Sequence, residues 1–375
     1  MKYYLIAGEA SGDLHGSNLI KELKKQDPNA EFRAWGGDHI QDQGAHLVKH
    51  IKDLAFMGFV EVIMNLGTIL KNIGFCKKDI ESYQPDVLIL IDYPGFNLRI
   101  AEWAKKKGIK VFYYISPQIW AWKQNRGFKI REVVDKMFVI LPFEKEFYKK
   151  FDFEVEFVGH PLLDAIEQFR KEKVSLADFA KIHGLNEKPI IALLPGSRKQ
   201  EIEAMLPVFL KVQKHFPAYQ FIIAGAPSQT LAYYKGFAKN DGIKILQNRT
   251  YDLLLHASAA LVSSGTATLE TALFKVPEVV CYKGGAISVM IARLLVKVKF
   301  ISLVNLIMDK EIVRELIQSE FNEKQITAEL KKILTQGPER DQLMANYQLL
   351  EEKLGGSGAS QITASLMLKT LSEGK

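Results

Sequence analysis

Short apolar runs alternate with longer helical segments over the first 160 residues. The runs have the length and composition of buried strands, and the segments between them have helical periodicity. Predicted strands lie at 3–7, 32–35, 87–91, 111–115, 137–140 and 155–158, and predicted helices cover about 13–25, 38–44, 59–75 and 97–107. Because strands that alternate with helices form parallel sheets covered on both faces, this half of the chain is predicted to be a doubly wound α/β domain.

The alternation restarts after a charged, poorly periodic segment at about 167–188. Predicted strands follow at 190–194, 220–224, 243–246, 259–262 and 278–281. The α/β chain is therefore predicted to form two doubly wound, Rossmann-like domains that face each other across a cleft. The predicted divisions are an N-terminal domain (1–165), a linker (166–188), a C-terminal domain (189–345) and a tail (346–375). The last helix, about 359–371, is predicted to pack on the first domain or on a partner chain.

The composition is that of an ordinary globular protein, with 47% hydrophobic and 25% charged residues. Cys76 and Cys281 are far apart and belong to no Cys-His cluster, so neither a disulfide framework nor a zinc site is expected. The N-terminus does not resemble a signal peptide, and no apolar run reaches the length of a membrane-spanning helix. These features predict a protein of the reducing cytoplasm.

The positive charge is concentrated in one segment. The net charge of the chain is +7, and residues 105–150 contain twelve Lys or Arg against four Asp or Glu. Such a surface could meet nucleic acid, an anionic membrane or a phosphorylated substrate, or it could be a solvated face without a partner.

A predicted strand at 190–194 leads into a turn of small residues and then into a helix near Gln200. The turn contains Ser197 and Arg198. Unpaired amides and the macrodipole make the N-terminus of a helix attractive to anions, so this turn is a candidate phosphate site. Many parallel α/β proteins have similar turns that bind no ligand. Considered alone, this turn could equally be such a structural turn.

A second loop of the same kind follows the strand at 259–262. Its small residues allow close approach to the backbone, and a carboxylate lies one turn further on: Ser264, Gly265, Thr266 and Glu270. The loop is predicted to bind a diphosphate, with Glu270 accepting ribose hydroxyls. No Asp-x-Asp sequence occurs, so no carboxylate-held metal is expected, and Arg198 is predicted to stabilise the leaving group.

The loop after the first strand resembles a dinucleotide fingerprint but lacks the third glycine. Glu9 and Asp13 stand where a pyrophosphate would lie, which disfavours a nucleotide there. Carboxylates and hydroxyls suit sugar hydroxyls better, so Glu9 and Ser11 are candidate substrate contacts. The alternative is that Asp13 is only a helix cap and Glu9 a structural partner.

Asp92 ends the apolar strand at 87–91, where burial would raise its pKa and make it a candidate general base. A hydrogen-bonded structural aspartate is the alternative. Trp120 and Trp122 precede a group of cations, which suits a sugar-phosphate surface or a packed loop. His160 is the second candidate for the catalytic base, although a core histidine is the ordinary explanation.

Two further segments, 56–70 and 286–306, are apolar around most of a helix. Their surplus apolar positions could face lipid, or they could lie in a core or at a subunit interface.

Considered together and in order along the chain, these motifs resemble those of the lipid-A-disaccharide synthases, glycosyltransferases of bacterial outer-membrane assembly. The motifs span nearly the whole chain: GEASGD (8–13), IDYPGFN (91–97), SPQIWAWK (116–123), LPFEKEFY (141–148), FVGHPL (157–162), LLPGSR (193–198), SGTATLE (264–270) and ISLVNLI (301–307). The resemblance implies a GT-B fold and an inverting transfer. UDP-2,3-diacylglucosamine would donate its sugar to the 6-hydroxyl of 2,3-diacylglucosamine 1-phosphate, giving a β(1→6) disaccharide and UDP.

The resemblance also implies roles for individual residues. Asp92 matches the family's proposed base, Arg198 a phosphate contact, and Glu9 and Asn305 polar active-site positions. Gly95 and Val304 depart from the residues common in the family at these positions, a second acid and a proline. The implied protein is a peripheral homodimer at the cytoplasmic face of the inner membrane, joined through its C-terminal parts, with neither a metal cofactor nor a nucleic-acid partner.

Two other function classes stay open at this point. One is a transferase or epimerase of the same fold that acts on another UDP-sugar. The other is a non-catalytic protein that binds lipid or nucleotide at a membrane surface.

Overall fold

The computed structural model describes residues 1–54, 66–171, 174–238, 242–284 and 298–373. The chain divides into two compact units, Met1–Asp164 with Leu354–Lys375, and Ala165–Lys353. Each unit contains a parallel β-sheet with helices, which confirms the α/β class and the two doubly wound domains.

The first unit is built on a parallel sheet whose strand order is β3-β2-β1-β4-β5-β6-β7. Its strands are β1 Lys2–Ala7, β2 Glu31–Gly36, β3 His46–His50, β4 Val87–Ile91, β5 Val111–Tyr114, β6 Lys136–Val139 and β7 Glu156–Phe157. The order of the strands reverses between β1 and β4, which pair in parallel from Tyr3 with Val87 to Ala7 with Ile91. In open parallel sheets, ligands bind beyond the carboxyl ends of the strands at such a reversal.

The helices of the first unit cover the sheet. In chain order they are α1 Ala10–Gln26, α2 Asp38–Asp42, α3 Leu66–Tyr83, α4 Pro94–Lys106, α5 Arg126–Val133 and α6 Glu144–Lys149. The C-terminal helix Ala359–Glu373 joins them, because Ala364 and Met367 are buried in the same core as Leu19 and Leu23 of α1. The Asp164 carboxylate accepts hydrogen bonds from the amides of Gly358 and Ser360 and so caps this helix.

The second unit repeats the arrangement with strand order β10-β9-β8-β11-β12-β13. Its strands are β8 Ile190–Leu194, β9 Gln220–Gly225, β10 Lys244–Gln247, β11 Ala257–Ser263, β12 Glu278–Tyr282 and β13 Arg314–Ile317. The remaining helices are α7 Pro161–Lys171, α8 Leu176–His183, α9 Lys199–Val212, α10 Leu231–Lys235, α11 Thr250–His256, α12 Thr266–Leu273, α13 Leu303–Met308, α14 Glu323–Leu334, α15 Pro338–Lys353 and α16, the C-terminal helix. Here the strand order reverses between β8 and β11.

The segment 166–188, predicted as a linker, contains helical structure. Helix α8 begins at a capping serine, since the Ser175 hydroxyl accepts from the Asp178 amide at 3.2 Å, and it ends at Gly184 in the left-handed conformation. Both α7 and α8 are short amphipathic helices, with charged residues on their exposed faces.

The two apolar segments at 56–70 and 286–306 fall largely outside the described residues, as does the first part of the helix predicted at 59–75. The described parts are 66–70, at the start of α3, and 298–306, which enters α13. Within the described ranges, none of the helices combines the length and the apolar content needed to cross a bilayer.

Candidate active site

Two loops meet at the strand reversal of the first unit. The loop after β1 begins with Gly8 and Glu9, and the loop after β4 begins with Asp92 and Tyr93. A Cβ atom on Gly8 would lie 2.3 Å from the Tyr93 ring, so only glycine allows the two loops to pack this closely. The sheet topology thus places Glu9 and Asp92, both predicted from the sequence, at adjacent strand ends.

Asp92 has an unusual backbone conformation that hydrogen bonds hold in place. Asp92 and Tyr93 have φ values of 43° and 48°, in the left-handed region that costs energy for residues with a side chain. The Asp92 carbonyl accepts a hydrogen bond from Asn97 Nδ2 at 2.7 Å and another from the Tyr113 hydroxyl. These contacts use only the backbone of Asp92, and its carboxylate interacts with the backbone amide of Tyr93.

Burial raises the pKa of Asp92 to about 6, and the nearby charge of Glu9 adds to the effect. A carboxyl group with this pKa is mostly ionised at neutral pH and still basic enough to accept a proton efficiently. Asp92 therefore has the location and the acidity of a general base.

The other residues of the first loop divide into exposed and structural ones. Glu9 and Ser11 are exposed at the start of α1. The buried Asp13 carboxylate instead accepts hydrogen bonds from the amides of Gly37, His39 and Ile40. Asp13 therefore has a structural role, but it lies inside α1 and caps α2, whereas the sequence suggested that it caps its own helix. Glu9 and Ser11 are the polar residues of this loop that are open to a sugar.

His160 lies inside the first unit and is only 3% exposed. Its Nδ1 accepts a hydrogen bond from the Leu162 amide at 3.2 Å, and burial lowers its pKa to about 3. The ring is therefore neutral. Its backbone amide donates to the Leu354 carbonyl where the chain re-enters the first unit. His160 thus has the structural surroundings of a core histidine, which leaves Asp92 as the stronger candidate for the base.

The loop after β5 places its two tryptophans differently. Trp120 is buried and packs edge-on against Phe143, with ring centroids 5.1 Å apart. Trp122 is exposed. A ligand can therefore reach the Trp122 indole in this structure. The Trp120 indole is part of the packing beneath the surface of the loop.

At the strand reversal of the second unit, the turn after β8 approaches the end of β11. Gly196 has a φ of 99°, and a Cβ atom there would lie 2.5 Å from Glu201 Oε2 and 3.3 Å from the hydroxyl of Ser263. Glycine is therefore required for this turn. Ser197 and Arg198 follow it at the start of α9, and both are exposed. The Arg198 guanidinium, 72% exposed, has an ion pair with Glu201 at 3.3 Å and is otherwise open to an incoming anion.

The loop after β11 forms the other side of this reversal. Gly265 and Thr266 are exposed at the start of α12, and the Ser264 hydroxyl donates to the Ile301 carbonyl at 2.8 Å. The Glu270 carboxylate accepts a hydrogen bond from the Tyr251 hydroxyl at 3.0 Å, and burial raises the pKa of Glu270. The predicted diphosphate loops thus lie next to each other at the edge where parallel sheets bind ligands.

Asn305 is fully buried and its amide group is saturated with hydrogen bonds. Its Oδ1 accepts from the amides of Ile312 and Val313, and its Nδ2 donates to the Val313 carbonyl and to Glu315, at 2.6–3.0 Å. In this structure Asn305 supports the segment before β13, and a substrate contact would have to break these bonds.

In the described residues, no group of three His, Cys, Asp or Glu side chains is placed to hold a metal ion.

The profile of the lipid-A-disaccharide synthetase family matches residues 3–367. The chain belongs to the lipid-A-disaccharide synthetase family. As a member of this family, it is a glycosyltransferase.

Relatives of similar length support the assignment to the lipid-A-disaccharide synthetase family. The lipid-A-disaccharide synthase of Syntrophus aciditrophicus is 42% identical over 372 residues, covering 97% of this chain and 96% of that one. The synthase of Geobacter metallireducens is 38% identical over 374 residues, covering 98% and 96%.

Solved structures share the fold of this family member at low sequence identity. The UDP-GlcNAc 2-epimerase of Neisseria meningitidis, bound to UDP-GlcNAc, matches over 100% of both chains with a TM-score of 0.65 and 13% identity. The glycotransferase of kitacinnamycin matches over 98% of both chains with a TM-score of 0.64 and 11% identity. These structures show that the two sheets belong to the GT-B type.

The sequence analysis did not select three residues of the site. Asn97 and Tyr113 hold the Asp92 backbone, and Tyr251 contacts Glu270. Asn97 lies within the IDYPGFN motif, so its position one turn after Asp92 was a usable signal. Tyr251 carried no such signal, because its contact with Glu270 depends on how α11 packs against α12.

Proposed function

We propose that the chain transfers 2,3-diacylglucosamine from UDP-2,3-diacylglucosamine to the 6-hydroxyl of 2,3-diacylglucosamine 1-phosphate. The products would be the β(1→6) lipid A disaccharide 1-phosphate and UDP. The observation that supports this most strongly is Asp92, a carboxyl group with a raised pKa at the strand reversal of the first unit. A transfer to a hydroxyl acceptor needs such a base.

In the proposed reaction, Asp92 removes the proton of the acceptor hydroxyl as its oxygen attacks C1 of the donor sugar. The bond between the new oxygen and C1 forms while the bond from C1 to the UDP oxygen breaks, and UDP leaves with the electron pair. Direct displacement inverts the configuration at C1. Glu9 and Ser11, exposed beside Asp92, would accept or donate hydrogen bonds to sugar hydroxyls.

The second unit would bind the UDP group. The amides at the starts of α9 and α12 and the Arg198 guanidinium are suited to the diphosphate, with Ser197, Ser264, Gly265 and Thr266 allowing close approach. Glu270 would accept hydrogen bonds from the ribose. Its partner Tyr251 would hold the carboxylate in place.

The proposal includes catalysis without a metal cofactor. Arg198 and the helix N-termini would carry the charge of the departing diphosphate instead of a divalent ion. Turnover is therefore expected to be unchanged after treatment with excess EDTA, and a loss that added Mg²⁺ restores would contradict this part.

The proposal also includes the cellular location and the oligomeric state of the enzyme. Because the proposed donor and acceptor carry acyl chains, we propose that the protein works as a peripheral protein, and as a homodimer, at the cytoplasmic face of the inner membrane. Trp120 remains a proposed substrate contact only if the loop after β5 opens, since its ring is buried.

The experiment that tests the proposed function is a transfer assay with purified full-length chain. Donor and phosphorylated acceptor are mixed in nonionic detergent, and disaccharide and UDP are measured together. We expect equal amounts of both products. UDP release without disaccharide would indicate donor hydrolysis. Conversion of plain UDP-GlcNAc to its 2-epimer would instead favour an epimerase.

A further inference from the structure

The basic segment 105–150 of the first unit contains two kinds of cation. Seven of its twelve Lys and Arg residues form ion pairs with carboxylates: Lys105, Lys106, Lys107, Lys129, Arg131, Lys136 and Lys149. Four of the partner carboxylates lie outside the segment, namely Glu81, Glu102, Asp152 and Glu156, so these pairs neutralise about half of the local charge excess. The charge available to a ligand is therefore confined to the cations that lack such a partner.

Lys123 and Arg126 belong to the second kind and share one aromatic side chain. Neither has an ion pair with a carboxylate of the described residues. Lys123 Nζ lies 4.5 Å from the centre of the Trp122 ring, and the Arg126 guanidinium carbon lies 5.9 Å from it. Trp122 is 43% exposed. An exposed indole with two unneutralised cations offers a ring face and positive charge at the same point.

Trp122, Lys123 and Arg126 follow the carboxyl end of a strand at the same edge of the sheet as Asp92. Their loop follows β5, which is the neighbour of β4 in the sheet. The Asp92 amide donates to the Tyr114 carbonyl at 3.2 Å, and the Tyr113 hydroxyl donates to the Asp92 carbonyl. The ends of β4 and β5 are thus joined directly where the catalytic loop begins.

Side-chain hydrogen bonds at its start and near its end hold the loop in place, and Ser116 at its start is buried. The Ser116 hydroxyl bonds the Tyr148 hydroxyl at 2.8 Å. Higher in the loop, Gln124 donates to the Trp120 carbonyl at 2.9 Å. Because the loop is already ordered, little conformational entropy is lost when its cations bind a ligand.

The backbone of the loop is also strained at the first cation. Lys123 has a φ of 53°, in the left-handed region that few lysines adopt. Such strain persists where the surrounding structure enforces it, and it is concentrated at functional sites.

We propose that Lys123, Arg126 and Trp122 form the binding site for the phosphate group of the acceptor sugar. The inference rests on the proposed function, since it concerns the acceptor of that reaction. Lysine supplies a point charge, and arginine supplies a fork of donors that matches phosphate oxygens. The Trp122 face would pack against the sugar ring. Phosphate chemistry is also offered by anionic lipid headgroups, and the experiment separates the two sources.

The test compares two acceptors in nonionic detergent micelles, which carry no anionic headgroups. One acceptor has the 1-phosphate and the other lacks it. For Lys123→Gln and Arg126→Gln, we expect kcat/KM for the phosphorylated acceptor to fall about 10-fold to 100-fold. The value for the unphosphorylated acceptor and the KM for the donor should stay within about twofold of the wild type, because these interactions do not involve the phosphate.

Lys110→Gln is the matched control. Lys110 belongs to the same basic segment and has no ion pair with a carboxylate of the described residues, but it precedes Val111 at the opposite, amino end of β5. The substitution removes the same charge, and it should leave both acceptors unaffected. If Lys110→Gln reproduced the loss, the effect would be one of overall charge, and the inference would fail.

Equal losses on both acceptors would also overturn the inference, as would a loss seen only on vesicles containing phosphatidylglycerol. The second pattern would assign the cations to the membrane surface. Binding of the phosphorylated acceptor, measured by calorimetry without donor, gives the same comparison between variants. The inference can therefore hold or fail even if the wild type forms no disaccharide, a result that would contradict the proposed function alone.

Discussion

At the scale of single residues, Asp92 combines strain and burial in one position. Its left-handed backbone and its raised pKa both cost stability, and neither is needed to complete the sheet. Residues that keep such costs in a folded protein are concentrated at functional sites.

The raised pKa gives a prediction for activity against pH. Because the base must be ionised, kcat/KM is expected to rise as the pH increases through about 6 and to level off above it. A profile of kcat/KM from pH 5 to pH 9 measures this. A plateau extending down to pH 5 would show that no group with the acidity of Asp92 controls the reaction.

The raised pKa of Asp92 also predicts how stability depends on pH. As the pH rises, activity should increase while the contribution of Asp92 to stability becomes unfavourable. A folded-state pKa above the ordinary 3.8 means that the charged form of Asp92 opposes folding, a cost that is absent below pH 4 and present above about 6. A shift from 3.8 to about 6 corresponds to about 3 kcal/mol, which partial exposure reduces to about 1–2 kcal/mol. Urea unfolding at pH 8 should therefore show Asp92→Asn to be more stable than the wild type, and at pH 4 the two should converge.

Gly8 offers a prediction about the packing of the two loops. In Gly8→Ala the new Cβ would meet the Tyr93 ring at 2.3 Å, so the loop that carries Asp92 must move. We expect kcat to fall by about 10-fold to 100-fold because catalysis is sensitive to such displacements. Gly95→Ala is the control, since a Cβ there meets nothing within 4 Å and should leave kcat unchanged. Similar activity of the two variants would contradict the proposed loop arrangement.

Asp92 was predictable from the sequence, whereas the surroundings of Asn305 and His160 were not. A carboxylate directly after an apolar run marks a strand end, which is a local signal. Asn305 is instead saturated by Val313 and Glu315, and His160 is enclosed where Leu354 returns to the first unit. Such contacts depend on tertiary packing that a motif does not record.

At the scale of elements, a strand reversal in each unit brings that unit's candidate site residues together. Each β-sheet places a pair of predicted loops at its own reversal, β1 and β4 in the first unit and β8 and β11 in the second. The central strands were predictable because they are continuous apolar runs. The edge strands β3 and β13 were missed because they are short and partly exposed, so their sequences lack such a run.

The start of α9 gives a prediction for the leaving group. Arg198→Ala should lower kcat by about 10²-fold to 10³-fold, the usual effect of removing one stabilising donor, while KM for the acceptor changes little. Lys199→Ala removes a neighbouring cation whose ammonium lies against the Tyr233 ring and should have a much smaller effect. Steady-state kinetics of both variants measure the difference. Equal losses would show that only the total charge of this turn matters.

At the scale of the whole chain, the last helix packs on the first unit. The sequence alone allowed two alternatives, packing on this domain or on a partner chain. Met367 of α16 is fully buried in the core of that unit, while Ile362 of the same helix is 43% exposed. Met367→Ala should cost about 2–5 kcal/mol of unfolding free energy, and Ile362→Ala less than about 1 kcal/mol. Denaturant unfolding of the two variants checks whether this buried contact exists in solution.

The division into two units could be anticipated because the strand and helix alternation restarts in the second half. The helices α7 and α8 were not predicted although both are amphipathic, because they are short and lie in a segment rich in charged residues. The packing of α16 on the first unit could not be predicted from local sequence patterns either. Its cap, Asp164, lies almost 200 residues away in the sequence.

The most direct test of the central claim is disaccharide formation by the wild type and by Asp92→Asn under identical conditions. Both proteins are incubated with UDP-2,3-diacylglucosamine and 2,3-diacylglucosamine 1-phosphate, and the disaccharide is quantified by mass spectrometry. We expect the wild type to form it and Asp92→Asn to be slower by about 10²-fold to 10⁴-fold, with its fold confirmed by circular dichroism. Wild-type turnover by a folded Asp92→Asn would contradict the assignment of Asp92 as the base.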